Sequence, residues 1–190
     1  MLLKISTISQ FAVNLQSEII TLATNHIMTS HTIFDFNYNS DIKNWEIIDD
    51  VVMGGKSLGS FIISPNGYGV FKGSISLDNN GGFSSIKYKF KRTLILDFTK
   101  IVFKIKGDGK KYQFRIKSNS EDYYSYISTF STTGNWQEIE IILKDMFPSF
   151  RGKRIDKPNF SEAYIEELSF LIANKKKENF KLFIDKIKLI

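Results

Sequence analysis

From Thr32 onward the chain runs in short stretches where apolar and polar residues alternate, most of them closed by a turn signal. A period of two sends successive side chains to opposite faces, so each stretch reads as a strand with one face to bury. "TIFDF" sets Phe34 and Phe36 against Ile33 and Asp35. "YGVFKGSISL" groups Phe71, Ile75 and Leu77, and "FSSIKYKF" groups Ile86, Tyr88 and Phe90. Ile101, Phe103 and Ile105 share one face of "KIVFKIKG", while Tyr112, Phe114 and Ile116 stand opposite Gln113, Arg115 and Lys117. Pro65-Asn66-Gly67, Asn79-Asn80-Gly81-Gly82 and Thr133-Gly134-Asn135 punctuate the pattern. This spacing predicts an all-β protein, an antiparallel sandwich or barrel with sheets covered on one face. Helical turns are expected in two places. One is "SEAYIEEL", with Ser161 as N-cap and Tyr164 and Leu168 one turn apart; the other lies near "KDMF".

The 190 residues include no cysteine, which removes disulfides, thiolate nucleophiles and thiolate-held metals, and suits a reducing compartment. His26 and His31 are the only histidines, and both precede the strand pattern. A His-based triad or multi-His metal site inside the main domain is therefore excluded. The net charge of +6 comes mostly from lysines mixed with acids, with arginine only at Arg92, Arg115, Arg151 and Arg154. Nothing gathers arginine with stacking aromatics, so nucleic acid is not an expected partner. Lys175-Lys176-Lys177 reads as a turn. No apolar run has the length of a transmembrane helix. Residues 1–32, interrupted by Gln10, Asn14 and Gln16 and lacking arginine, fit neither a signal peptide nor a mitochondrial presequence. They read as an extension, helical or disordered, ahead of one domain over 33–190. The compartment expected is the cytoplasm, with the mitochondrial matrix as alternative.

Two motifs resemble nucleotide-binding loops and fail on their chemistry. Gly55-Lys56-Ser57 ends like a phosphate-binding loop, but Asp50 stands where the first glycine belongs and a strand follows instead of a helix. Gly107-Asp108-Gly109 opens like a dinucleotide fingerprint, then offers Tyr112 in place of glycine and reads as a hairpin turn. No cofactor and no metal site are expected. The acid pairs Asp49-Asp50, Glu121-Asp122 and Glu166-Glu167 name no catalytic set, because sequence neighbours cannot face each other across a cleft. A hydrolase built on Asp50 and a second carboxylate survives only as a third reading. Trp45, Trp136 and Tyr112 are expected to pack the core and hydrogen-bond through their polar tips. In Tyr123-Tyr124-Ser125-Tyr126, alternation turns at least one tyrosine outward.

An ordered series of segments carries a family resemblance: Trp45 to Ser57, Val70 to Lys87, Gly107 to Lys117, Ser125 to Ile141 and Asp145 to Ile155. Together they resemble the complex I intermediate-associated protein 30 family in a bacterial-type form, over Ile33 to Ile190. The resemblance implies a galactose-binding-like jelly roll, a fold shared with several carbohydrate-binding modules, and a non-enzymatic role in assembling respiratory complex I. It also gives the glycines a purpose. Asp49–Ser57 would join two strands with Val52 and Met53 inserted as a plug. Gly54 and Gly55 would supply conformations and close approaches that a Cβ forbids, and Gly81 and Gly82 would do likewise before Phe83 returns to the core. Asp50, Asn80 and Arg115 would form either one buried polar network or part of a ligand surface.

The leading reading is a non-catalytic module that binds a protein client, a subunit of complex I or another redox complex. The candidate surface comprises Gln113, Arg115 and Lys117, rimmed by Tyr124, Tyr126, Asn80 and the loop holding Asp49, Asp50 and Ser57. Gly54, Gly55, Gly81, Gly82, Gly107 and Gly109 are assigned structural roles. The alternative is a carbohydrate-binding module using the same face.

Overall fold

The computed structural model describes residues 30–190. The expected N-terminal extension, with His26, lies outside the described residues except at its end, where His31 and Thr32 already pair with Leu189 and Lys188.

Among the described residues, thirteen strands form two antiparallel sheets. The six-stranded sheet holds β3 (Leu58–Ile63), β4 (Gly69–Ile75), β13 (Glu178–Leu189), β6 (Lys100–Lys106) and β9 (Trp136–Ile142) in that order, with β1 (His31–Asp35) also paired to β13. The seven-stranded sheet runs β11 (Lys153–Arg154), β10 (Phe147–Phe150), β8 (Ser125–Ser131), β7 (Lys111–Lys117), β12 (Tyr164–Ile172), β5 (Ser84–Leu94) and β2 (Trp45–Asp49). The chain crosses repeatedly from one sheet to the other, as a jelly-roll sandwich requires.

Alternation explains the core. Ile101, Phe103 and Ile105 of β6 face Phe114 and Ile116 of β7 and Leu168 and Phe170 of β12, all buried. Phe103 sits where the sheets meet, its ring centroid 4.9 Å from Phe114 and 5.2 Å from both Phe130 and Phe170. Trp45 is enclosed by Phe34, Phe61 and a stacked Tyr88, and its indole N–H finds no acceptor among the described residues. Tyr112 is buried and donates its hydroxyl to Asp108 at 3.0 Å.

Four expectations are corrected here. "SEAYIEEL" is no helix, for Tyr164–Ile172 is a central strand. A register shift between Ile165 and Glu167 breaks the alternation, so the expected pair does not share a face: Tyr164 is exposed and Leu168 is buried. Gly107-Asp108-Gly109 is not a hairpin but a corner, because β6 and β7 belong to different sheets. A Cβ on Gly107 would collide with Thr132 of the neighbouring corner, and Gly109 has φ +81°. Trp136 lies on the outer face, a third exposed, against Tyr68 and beneath the Lys104 ammonium. Leu77 is outside the core too, exposed beyond the end of β4. The turn expected near "KDMF" is present as one 3-10 turn at Leu143–Asp145.

Candidate functional site

The loops singled out by their glycines form one corner of the sandwich, where the chain leaves β2 for β3 and β4 for β5. Asp50 holds it together. Its carboxylate is sealed from solvent and accepts from Ser57 N–H at 2.9 Å, Ser57 hydroxyl at 2.5 Å, Gly82 N–H at 2.5 Å and Phe83 N–H at 3.2 Å. Burial acts to raise the carboxyl pKa, but donors from Ser57, Gly82 and Phe83 together outweigh it and hold Asp50 below the usual aspartate range. Gly55 and Gly81 exist for this carboxylate, since a Cβ on either would run into the Asp50 side chain. Gly54, with φ +86°, ends the 3-10 turn Asp50–Met53. Asp49 makes the parallel tie between the sheets, accepting from Gly59 N–H at 2.8 Å and the Ser84 hydroxyl at 2.5 Å.

This corner is a lock, not a reactive centre. Asp50 and Ser57 are fully enclosed and cannot meet a ligand, which also removes Asp50 as a hydrolytic acid or base. Asn80 is exposed and Arg115 lies elsewhere, bonded to Gln113, so the three residues form no single network. Met53 is no plug: it is 58% exposed. Phe83 is half-buried and faces the same side.

That side is the outer face of the seven-stranded sheet, which carries a groove of about 690 Å³. Register builds its floor. Lys89 and Lys117 flank Glu167, Lys87 and Arg115 flank Ser169, and Ser85 and Gln113 flank Leu171. At one end stand Ile48, Met53, Leu77 and Phe83; at the other stand Tyr123 and Phe150, edge to face at 5.2 Å. The expected face of Gln113, Arg115 and Lys117 is therefore the groove floor. The expected tyrosines are not its rim. Tyr124 and Tyr126 turn inward, 8% and 5% exposed, whereas Tyr123 is 63% exposed and takes that place.

The floor is basic, with unequal pairing. Lys87 bonds Glu46 at 2.9 Å. Lys117 donates to the Ser120 and Asp122 carbonyls and stands 4.0 Å from Glu167. Burial pushes the Glu167 carboxyl up, and Lys117, Lys87 and Lys89 only partly offset this. Arg115 donates through Nε and Nη2 to Gln113 Oε1, at 3.2 and 2.6 Å, and meets no carboxylate among the described residues. Burial pulls its guanidinium down to about 10. Arg151 and Lys175, at the margins, adopt left-handed backbone with φ 49° and 56°. Arg151 does so because the Phe150–Lys153 pairing leaves a two-residue turn needing positive φ at both positions, which Gly152 meets at φ +76°. No group of three His, Cys, Asp or Glu that could hold a metal ion occurs among the described residues, and no described helix is long and apolar enough to cross a membrane.

Fold and groove define a class: a jelly-roll β-sandwich with an open groove across the outer face of one sheet. Within it, the chain belongs to the Complex I intermediate-associated protein 30 family, which it matches over residues 34–184. Among solved structures it is similar to a family 11 carbohydrate-binding module from Clostridium thermocellum in complex with a β-1,3-1,4-mixed-linked tetrasaccharide. The two share 20% identity over 85% of this chain and 95% of that one, with a TM-score of 0.65. A family 11 module of a cellulosomal cellulase from the same organism gives 18% identity over 85% and 94%, and the same TM-score. An agarase gives 11% identity and a TM-score of 0.56, with 84% of this chain matched to 24% of that one.

Proposed function

We propose that the domain is a non-catalytic protein-interaction module that assists assembly of a respiratory, complex I-like or other redox complex, with the groove as its docking surface. The carrying observation is Arg115, a half-buried guanidinium on the groove floor whose bonded partner is a neutral amide. A desolvated cation left without an anion is a standing cost that a docked partner relieves. Membership of the family supports the choice of client. The cytoplasm is the compartment we favour, ahead of the mitochondrial matrix, since a chain without cysteine asks nothing of an oxidising environment.

A carbohydrate-binding module is the second reading. Tyr123 and Phe150 favour it, because open aromatic rings at a groove end can stack on sugars, as does the likeness in fold to carbohydrate-binding modules. Against it, the floor between the two ends is charged and carries no aromatic platform.

Tagged protein recovered from its own cells tests the choice. Wild type is expected to bring down complex I or other redox-complex subunits, and Arg115→Gln to lose them while melting at an unchanged temperature. Recovery unchanged by the substitution, together with saturable binding of a mixed-linkage tetrasaccharide to the wild type, would place the sugar reading first.

A further inference from the structure

The groove also has dimensions and a charge pattern that describe its occupant. It crosses from β10 to β2 over β8, β7, β12 and β5. Five strand spacings of about 4.8 Å make it about 24 Å long. Extended chain advances about 3.3 Å per residue, so about seven residues fill that length. Six basic side chains line it (Lys87, Lys89, Arg115, Lys117, Arg151 and Lys175) against the single carboxyl of Glu167. Glu167 opposes an incoming anion least where it is held toward neutrality by burial. Lys87 has its own anion in Glu46, and Lys117 is committed to loop carbonyls. Arg115, at the centre of the floor, has donors to spare, for two of its five N–H groups serve Gln113. The ends of the groove are of different character, apolar at Met53, Leu77 and Phe83 and aromatic at Tyr123 and Phe150.

We infer that the groove takes an extended acidic peptide segment of its client, with carboxylates over Arg115 and its neighbouring lysines and an apolar side chain at each end. This rests on the reading of the groove as a protein-docking surface and deepens it. The alternation of an extended strand suits the arrangement, since every second side chain of the guest meets the floor while the others face solvent. A carboxylate fits the planar fork of a guanidinium through two parallel N–H donors, which a hydroxyl cannot match.

The test uses the full chain and a fluorescent heptapeptide, Leu-Gly-Glu-Gly-Glu-Gly-Phe, whose apolar ends and carboxylates share one face when extended, with its Gln-for-Glu counterpart, trigalacturonate and a neutral mixed-linkage tetrasaccharide as the other probes. The acidic peptide is expected to bind saturably and to weaken as salt rises. Arg115→Gln should reduce its affinity by about tenfold or more, and Arg115→Lys by less, because lysine keeps charge without the fork. Lys72→Gln, on β4 of the opposite sheet, should change nothing, and thermal melts establish that each variant is folded. Equal binding of the Glu and Gln peptides, or an Arg115→Gln variant that binds like wild type, overturns the acidic segment. The docking reading would survive that result if the client is still recovered from cells. Tighter binding of trigalacturonate or the neutral tetrasaccharide than of the peptide overturns both together. Binding of none of the probes overturns the acidic segment alone, leaving recovery of the client to decide the rest.

Discussion

Replacing Asp50 by alanine is expected to destabilise the domain by about 3–5 kcal/mol, since each buried donor stripped of its acceptor costs about 1–3 kcal/mol. Ser57, Gly82 and Phe83 all lose the carboxylate that their N–H groups address, and the Ser57 hydroxyl loses it as well. No water can take over cheaply, because Gly55 and Gly81 are packed directly on the side chain. For a domain of this size the melting temperature should fall by about 10 °C or more. The pH dependence gives the sign. Asp50 titrates below its ordinary value in the folded state, so its contribution is present in full above the unfolded aspartate value near 3.9 and is lost as pH falls through the folded value. The gap between wild type and Asp50→Ala should therefore be wide at pH 7 and narrow toward pH 3, as denaturant melts at both pH values can show. A gap that stays constant with pH would mean that the charge contributes nothing. Any loss of client binding by Asp50→Ala reports a loosened corner, which makes Arg115 the residue to alter when binding is the question.

Phe103→Ala should cost about 3–5 kcal/mol, the range for a fully buried phenylalanine whose cavity the surroundings cannot fill. Phe103 meets Phe114, Phe130 and Phe170 across the sandwich, so the loss falls on the contact between the sheets and not within one. Phe103→Leu keeps most of the volume and should cost about half as much or less. Urea unfolding of the two variants separates them. Equal losses would show that ring geometry, not filled volume, is what the site demands.

Some of this architecture is legible in the amino-acid sequence and some is not, for identifiable reasons. Strands such as β6 and β7 show an unbroken alternation that a one-sided sheet imposes, and they read directly. β12 does not, because its register shift interrupts the period of two and leaves Tyr164 exposed and Leu168 buried although they stand an even number of residues apart. Connections of a few residues look alike whether they close a hairpin or cross between sheets, which is why the Gly107–Gly109 corner reads as a hairpin. At the site, Gln113, Arg115 and Lys117 follow from parity on β7. The opposite wall, with Lys87, Lys89 and Glu167, depends on which strands become neighbours, and parity within one strand carries no such information. Parity does separate Tyr123 from Tyr124 and Tyr126, but it carries no information on which side of the alternation faces the groove. Asp50 stands out by its company of glycines, but its partners are mainly backbone N–H groups, identical in every residue and invisible in a sequence.

The most direct test of the groove as docking surface is site-specific photo-crosslinking in the protein's own cells. A photoreactive residue replaces Gln113 on the groove floor in one sample and Lys72 on the opposite sheet in another, with crosslinked partners identified by mass spectrometry. The expected result is a crosslink from position 113 to a subunit of complex I or of another redox complex, through an acidic segment, with none from position 72. Crosslinks to such a subunit from position 72 alone would contradict the account and move the client to the other face of the sandwich.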